Sequence, residues 1–141
     1  MNIIGKWNAY YEYGPGYDLP YFGERVHHEV FITPCDSGFE GVSKNEIGEL
    51  SINQVGKIEG LVDVDYISFV KIYPVYSEIG ADHKTVEDPS RQLTINYQGY
   101  VDLEFSKIYG NWTIITVEID QEGNEHSFEC YGIWMWERPE E

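Results

Sequence analysis

The chain is predicted to be all-β: one antiparallel, up-and-down barrel of eight strands. Three observations point there. Short segments alternate between apolar and polar residues, turn residues separate them at regular intervals, and no stretch carries a helical period. Strands joined in sequence by short turns favour a meander over crossed wiring. A barrel of this size either fills its interior with its own side chains or leaves a cup for one small ligand.

The first strand runs from Gly5 to Tyr13, with Trp7, Ala9, Tyr11 and Tyr13 on one face and Lys6, Asn8, Tyr10 and Glu12 on the other. The loop from Gly14 to Gly23 follows. Its glycines and prolines forbid regular structure, while Tyr17, Tyr21 and Phe22 must pack on something: their own barrel as a lid, a ligand, or a partner. Arg25 to Thr33 is the second strand, with Val26, His28, Val30 and Ile32 on one face, stopped by Pro34 and Asp36-Ser37-Gly38. Phe39 to Lys44 and Glu49 to Gln54 read as two short strands around an Asn45 to Gly48 turn.

Gly56 to Val62 pairs with Tyr66 to Tyr73 across Asp63-Val64-Asp65, a hairpin by length and alternation, and Pro74 ends the run. Val75 to Arg91 is the longest polar stretch, an excursion outside the barrel with room for one short helical turn. Leu93 to Tyr100, Val101 to Tyr109, Trp112 to Asp120 and Glu125 to Trp136 complete the strands, with turns at Gly110-Asn111 and Gln121 to Asn124.

A length of 141 residues suits one domain, spanning 1–141, with a core that needs no staples. Hydrophobic content of 42% and aromatic content of 16% exclude intrinsic disorder. The net charge of −16 comes with scattered basic residues, which excludes nucleic acid and an anionic membrane surface as ligands. That charge serves solubility or attracts a basic protein partner. Residues 1–7 carry no basic leader or apolar run of signal length, so a cytoplasmic location is expected. Cys35 and Cys130 are then free thiols, and the Asn111-Trp112-Thr113 sequon is a chance match.

Gly5-Lys6-Trp7 on the first strand and Arg138 just past the last resemble the structural signature of the calycin superfamily, which comprises lipocalins, fatty-acid-binding proteins and avidins. Phe39-x-Gly41, Gly56-x-Ile58-x-Gly60, Ile67-x-Phe69-x-Lys71-x-Tyr73, Tyr97-x-Gly99 and Gly110-x-Trp112 are similar to the pattern of avidin-type barrels. The resemblance implies that Trp7 plugs one end of the barrel and the Arg138 guanidinium lies across its indole. No equivalent of a biotin site or of the later lipocalin blocks is present, so no ligand identity carries over.

Tyr11, Tyr13, Phe69, Tyr73, Tyr97, Trp112 and Trp134 are the candidate ligand-binding residues, an apolar wall with hydroxyl handles if the interior is open and a filling if it is not. No cofactor is called for. His27 and His28 are adjacent on a strand and point to opposite faces, so they cannot share a metal; His83 and His126 lack zinc-site spacing. His28, on an apolar face, reads as a buried histidine satisfied by a neighbour. Asp63 and Asp65 lack the further oxygen ligands of a calcium loop. Glu104, Glu118 and Glu129 would be acids or bases only if they pointed inward, and Cys35 and Cys130 have no activating base nearby.

Three functions fit this pattern. The first is a non-enzymatic barrel binding a small apolar or aromatic molecule, with the Gly14 to Gly23 loop helping to close the cup. The second is an acidic interaction protein or inhibitor docking a basic partner. The third is a barrel-type isomerase or hydrolase, which requires an inward carboxylate or histidine.

Overall fold

The computed structural model describes residues 3–79, 85–104 and 106–139. Among the described residues there are ten strands: β1 (Gly5–Tyr13), β2 (Arg25–Cys35), β3 (Gly38–Ile47), β4 (Gly56–Asp63), β5 (Tyr66–Tyr73), β6 (Tyr76–Ile79), β7 (Thr85–Asp88), β8 (Leu93–Asp102), β9 (Lys107–Ile119) and β10 (Glu125–Glu137). Eight of them close a barrel in the order β1-β10-β9-β8-β5-β4-β3-β2, every pair antiparallel. The first and last strands complete the cylinder, with Ala9 opposite Trp136 and Tyr11 opposite Trp134. Among the described residues no helix is long and apolar enough to cross a membrane.

The period-2 alternation decides what faces inward. Trp7, Ala9, Tyr11 and Tyr13 from β1, Val26, His28, Val30 and Ile32 from β2, and Ile67, Phe69, Lys71 and Tyr73 from β5 are all buried. Fully burying each large apolar side chain contributes about 2–3 kcal/mol.

Three segments differ from expectation. Glu49 to Gln54 is not a strand: Ser51 N–H donates to the Gly48 carbonyl and the segment folds over the barrel end, tucking Leu50 and Ile52 against the core. β8 runs on to Asp102, the turn comes at Leu103 to Ser106, and β9 passes straight through Gly110-Asn111. Gly99 and Gly110 face each other across that pair, and a methyl on Gly110 would sit 1.9 Å from the Gln98 carbonyl oxygen. These glycines mark close strand approach and not a turn. The excursion after Pro74 carries the paired strands β6 and β7, and residues 80–84 between them lie outside the described residues.

The two ends of the barrel differ. Tight turns join β2 to β3, β4 to β5 and β8 to β9 at the end where Trp7 lies. There the Arg138 guanidinium stacks 3.9 Å from the Trp7 ring and donates to the carbonyls of Ile4 and Lys6, while Trp7 Nε1 donates to the Ile3 carbonyl. Trp7 is fully buried beneath the guanidinium at this end. The long connections all emerge at the other end.

Candidate functional site at the open end

The end opposite Trp7, named the open end for the long connections that cross it, is built from the last inward residues of β1, β5, β9 and the end of β3, and Tyr11, Tyr13, Tyr73 and Trp112 there are buried. Its roof is three connections. Tyr17, from the loop after β1, packs edge-on against Tyr13 at 4.8 Å and lies 6.2 Å from the Trp112 ring. The Tyr13 hydroxyl donates to the Leu50 carbonyl. Gln54 clips the next connection, donating to the Val75 carbonyl at 3.1 Å and accepting from Val75 N–H at 2.9 Å.

Beneath this roof lies a buried polar cluster. Lys71 is 2% exposed, its stem lying over Gly56, where a methyl would meet Lys71 Cγ at 2.9 Å. Its ammonium faces the rings of Tyr11, Tyr73 and Tyr97 at 4.6, 5.1 and 5.2 Å. Among the described residues it takes part in no ion pair. Burial drives its pKa down to about 8, partly opposed by the negative charge of Glu46.

Glu46 accepts hydrogen bonds from the Tyr11 and Tyr73 hydroxyls, each at 2.6 Å, and from Ile52 N–H at 3.0 Å. Burial, reinforced by neighbouring tyrosines and by Glu46, raises the pKa values of Tyr11 and Tyr73 far above the usual phenol value. Both hydroxyls therefore stay protonated and donate. Tyr97 is raised for the same reasons, burial first.

A β-bulge aims Glu46. β3 pairs with β2 through Lys44–Glu29 and then Ile47–His27, so two residues of β3 stand opposite one of β2, and Asn45 takes a left-handed φ of 59°. The extra residue reverses the alternation. Strict period 2 would send Glu46 outward with Lys44; the bulge turns it over the barrel mouth. His28 stands opposite that bulge, buried, its ring 5.5 Å from Tyr11 and its Nδ1 3.4 Å from the Val26 carbonyl. Burial, then the charge of Lys71, holds its pKa well below the ordinary value, so the ring is neutral. Ser43 Oγ is buried and has no hydrogen-bond partner among the described residues.

The structure divides the candidate residues into two groups. Tyr11, Tyr13, Tyr73 and Trp112 surround the open end. Phe69, Tyr97 and Trp134 form the layer below, with Phe69 stacked on Tyr97 at 4.6 Å and edge-on to Trp134 at 5.2 Å. Trp136 joins that layer, 4.9 Å from Phe69 and 5.3 Å from Trp134. The indole donors of Trp112 and Trp134 are satisfied by wall carbonyls of Glu12 and Asn111. Sequence reasoning missed Lys71, Glu46 and Trp136 as site residues. Lys71 was readable, a cation at an inward position between Phe69 and Tyr73; the bulge that aims Glu46 leaves no such signal.

Most of the remaining candidates lie elsewhere. Glu104 and Glu129 are exposed, Cys35 is an exposed free thiol, and His126 pairs with Asp120 at 2.8 Å on the surface. Cys130, also a free thiol, is half-buried and its side chain meets the Tyr17 hydroxyl beside the roof. Asp63 and Asp65 flank the exposed β4–β5 turn. His83 and the Glu118 side chain lie outside the described residues. Among the described residues no group of three His, Cys, Asp or Glu side chains could hold a metal ion. A separate cleft of about 390 Å³ lies on the outer wall, between the Gly14-Pro15 and Phe22 positions of the loop and the β10 residues Glu129, Tyr131 and Ile133. Comparison of the chain with protein-family models, curated proteins and solved structures returned no significant match of any kind.

Proposed function

We propose that this protein is a calycin-type binding barrel that takes a small, largely aromatic molecule at its open end, under the roof formed by Tyr17 and Leu50. The observation that carries the reading is the buried Lys71 amine among the rings of Tyr11, Tyr73 and Tyr97, with the half-buried Glu46 accepting from the Tyr11 and Tyr73 hydroxyls. Apolar chambers with a few fixed polar groups are what small-molecule sites look like, because the rings supply affinity and the polar atoms supply orientation. Phe69, Tyr97, Trp112 and Trp134 are the floor and wall of the chamber in this reading. The ligand is neutral or weakly charged, since a net charge of −16 repels anions at long range.

Native mass spectrometry of the protein purified from its own host tests the proposal. A retained small mass, absent from the variant Lys71→Met, which removes the amine from the ring cluster, supports it. Bare protein from every preparation, together with no response of tryptophan fluorescence to small aromatic compounds, overturns it.

A second reading, an acidic protein docking a basic partner, is favoured by one feature. β9 and β10 extend past their barrel neighbours as a two-stranded ribbon, because β8 pairing ends at Thr113 and β1 pairing at Gly132. Ile115, Ile119 and Phe128 on it are 63%, 70% and 51% exposed, beside the acidic Asp120, Glu122 and Glu125. Exposed apolar side chains on unpaired strands invite a partner. A basic polypeptide co-purifying in the same spectra, and lost on Ile119→Lys, selects this reading over the first.

A further inference from the structure

Lys71 has chemistry that a simple apolar cup does not need. Its amine is enclosed, fixed by a stem that crosses Gly56, and surrounded by ring faces, which attract an ammonium but take no proton from it. The charged and titratable groups around it are Glu46 from the end of β3, Tyr11 from β1, His28 from β2, Tyr73 from β5 and Tyr97 from β8. Both Tyr11 and Tyr73 point their hydroxyls at Glu46, so this carboxylate is held by phenols, and among the described residues Lys71 is in no salt bridge. A desolvated lysine beside aromatic walls is the usual setting for carbonyl condensation.

We infer that Lys71 binds small aromatic aldehydes covalently and reversibly, as an imine formed under the Tyr17 roof. The inference rests on the open-end binding reading and names its ligand class. The nitrogen lone pair forms the new C–N bond with the carbonyl carbon, giving a carbinolamine. Both amine hydrogens then leave with the carbonyl oxygen as one water, and the C=N bond forms; hydrolysis reverses the sequence with no other reactant. The aromatic ring of the aldehyde replaces Tyr17 in contact with Tyr13 and Trp112, which requires the loop from Gly14 to Gly23 to lift. A lowered amine pKa makes the neutral nucleophile available: near pH 8 about half of Lys71 is uncharged, against under about 1% of a surface lysine.

The test is incubation of the full chain at pH 8 with 4-methoxybenzaldehyde and cyanoborohydride, followed by intact and peptide mass measurement. In parallel, tryptophan fluorescence is titrated with the aldehyde and with 4-methoxybenzyl alcohol, which has no carbonyl. The expected result is one reduced adduct, on Lys71, forming at least ~10-fold faster than adducts on Lys6, Lys44, Lys57 or Lys107, and lost in Lys71→Met while that variant keeps its near-ultraviolet circular dichroism. Adducts confined to surface lysines, or none, with both compounds still changing the fluorescence, overturn the imine and leave the binding site standing. No adduct and no fluorescence response overturn both.

Discussion

The guanidinium of Arg138 lies 3.9 Å from the ring of Trp7, although 130 residues separate them in the chain and β1 and β10 meet only when the barrel closes. The same guanidinium donates to the carbonyls of Ile4 and Lys6, so it also ties down the segment entering β1. Arg138→Ala loses the stacking and both donors, and is expected to destabilise the fold by about 1–3 kcal/mol in urea unfolding. Arg138→Lys keeps the charge but not the planar fork, and recovers half of that loss or less. A change below about 0.5 kcal/mol for the alanine variant would mean that the end is sealed by Trp7 alone.

Lys71 makes stability rise with alkalinity over a defined window. Its folded pKa of about 8 lies below the unfolded value of about 10.4, so between these values the unfolded chain holds a proton that the folded chain has released. Stability therefore climbs as pH rises through that window, by up to about 3 kcal/mol. Above about 10 the trend reverses, because the unfolded chain loses phenol protons that buried Tyr11, Tyr73 and Tyr97 retain. Chemical denaturation at half-unit pH steps should give a maximum near pH 10. Lys71→Met should be more stable at pH 7 and should lack the rise between 8 and 10.

His28 sets the acid limit. Its ring stays neutral in the fold and takes up a proton near pH 6.5 in the unfolded chain, so stability falls as pH drops below that value, at up to about 1.4 kcal/mol per unit. Carboxylates with lowered pKa values, such as Glu29, Asp88 and Asp120, act only below about 4.5. His28→Leu should therefore flatten the profile from pH 6.5 to 5 and leave the loss below 4.5 in place.

Glu46 holds two buried phenols and one backbone amide. Glu46→Ala strands those donors and is expected to cost about 2–4 kcal/mol, whereas Glu46→Gln keeps one carbonyl acceptor and costs about half as much. The alanine variant should also free the segment from Leu50 to Ile52, seen as faster amide exchange at Ile52. Unchanged exchange there would contradict the role given to Glu46 in holding the roof.

Most of the barrel was legible because inward and outward positions alternate cleanly: the inward faces assigned to β1 and β2 are the buried ones. What escaped was whatever interrupts period 2. Asn45, in a left-handed conformation, sends Glu46 to the other face, and nothing local in the sequence marks it. Gly110-Asn111 looked like a turn because glycine serves both turns and close strand contacts, and only the Gly99 opposite settles which. Leu50 and Ile52 imitate a strand by alternating, yet they alternate against the barrel mouth. The candidate site was half readable for the same reason: its rings sit at regular inward positions, while its carboxylate depends on a bulge.

Amide and methyl chemical-shift mapping with 4-methoxybenzaldehyde addresses the open-end site most directly. The account predicts shifts at Tyr11, Tyr13, Tyr17, Leu50 and Lys71, with Trp7 and Arg138 at the sealed end unmoved. Shifts confined to the outer cleft near Phe22 and Tyr131, or to the ribbon around Ile119, would contradict it.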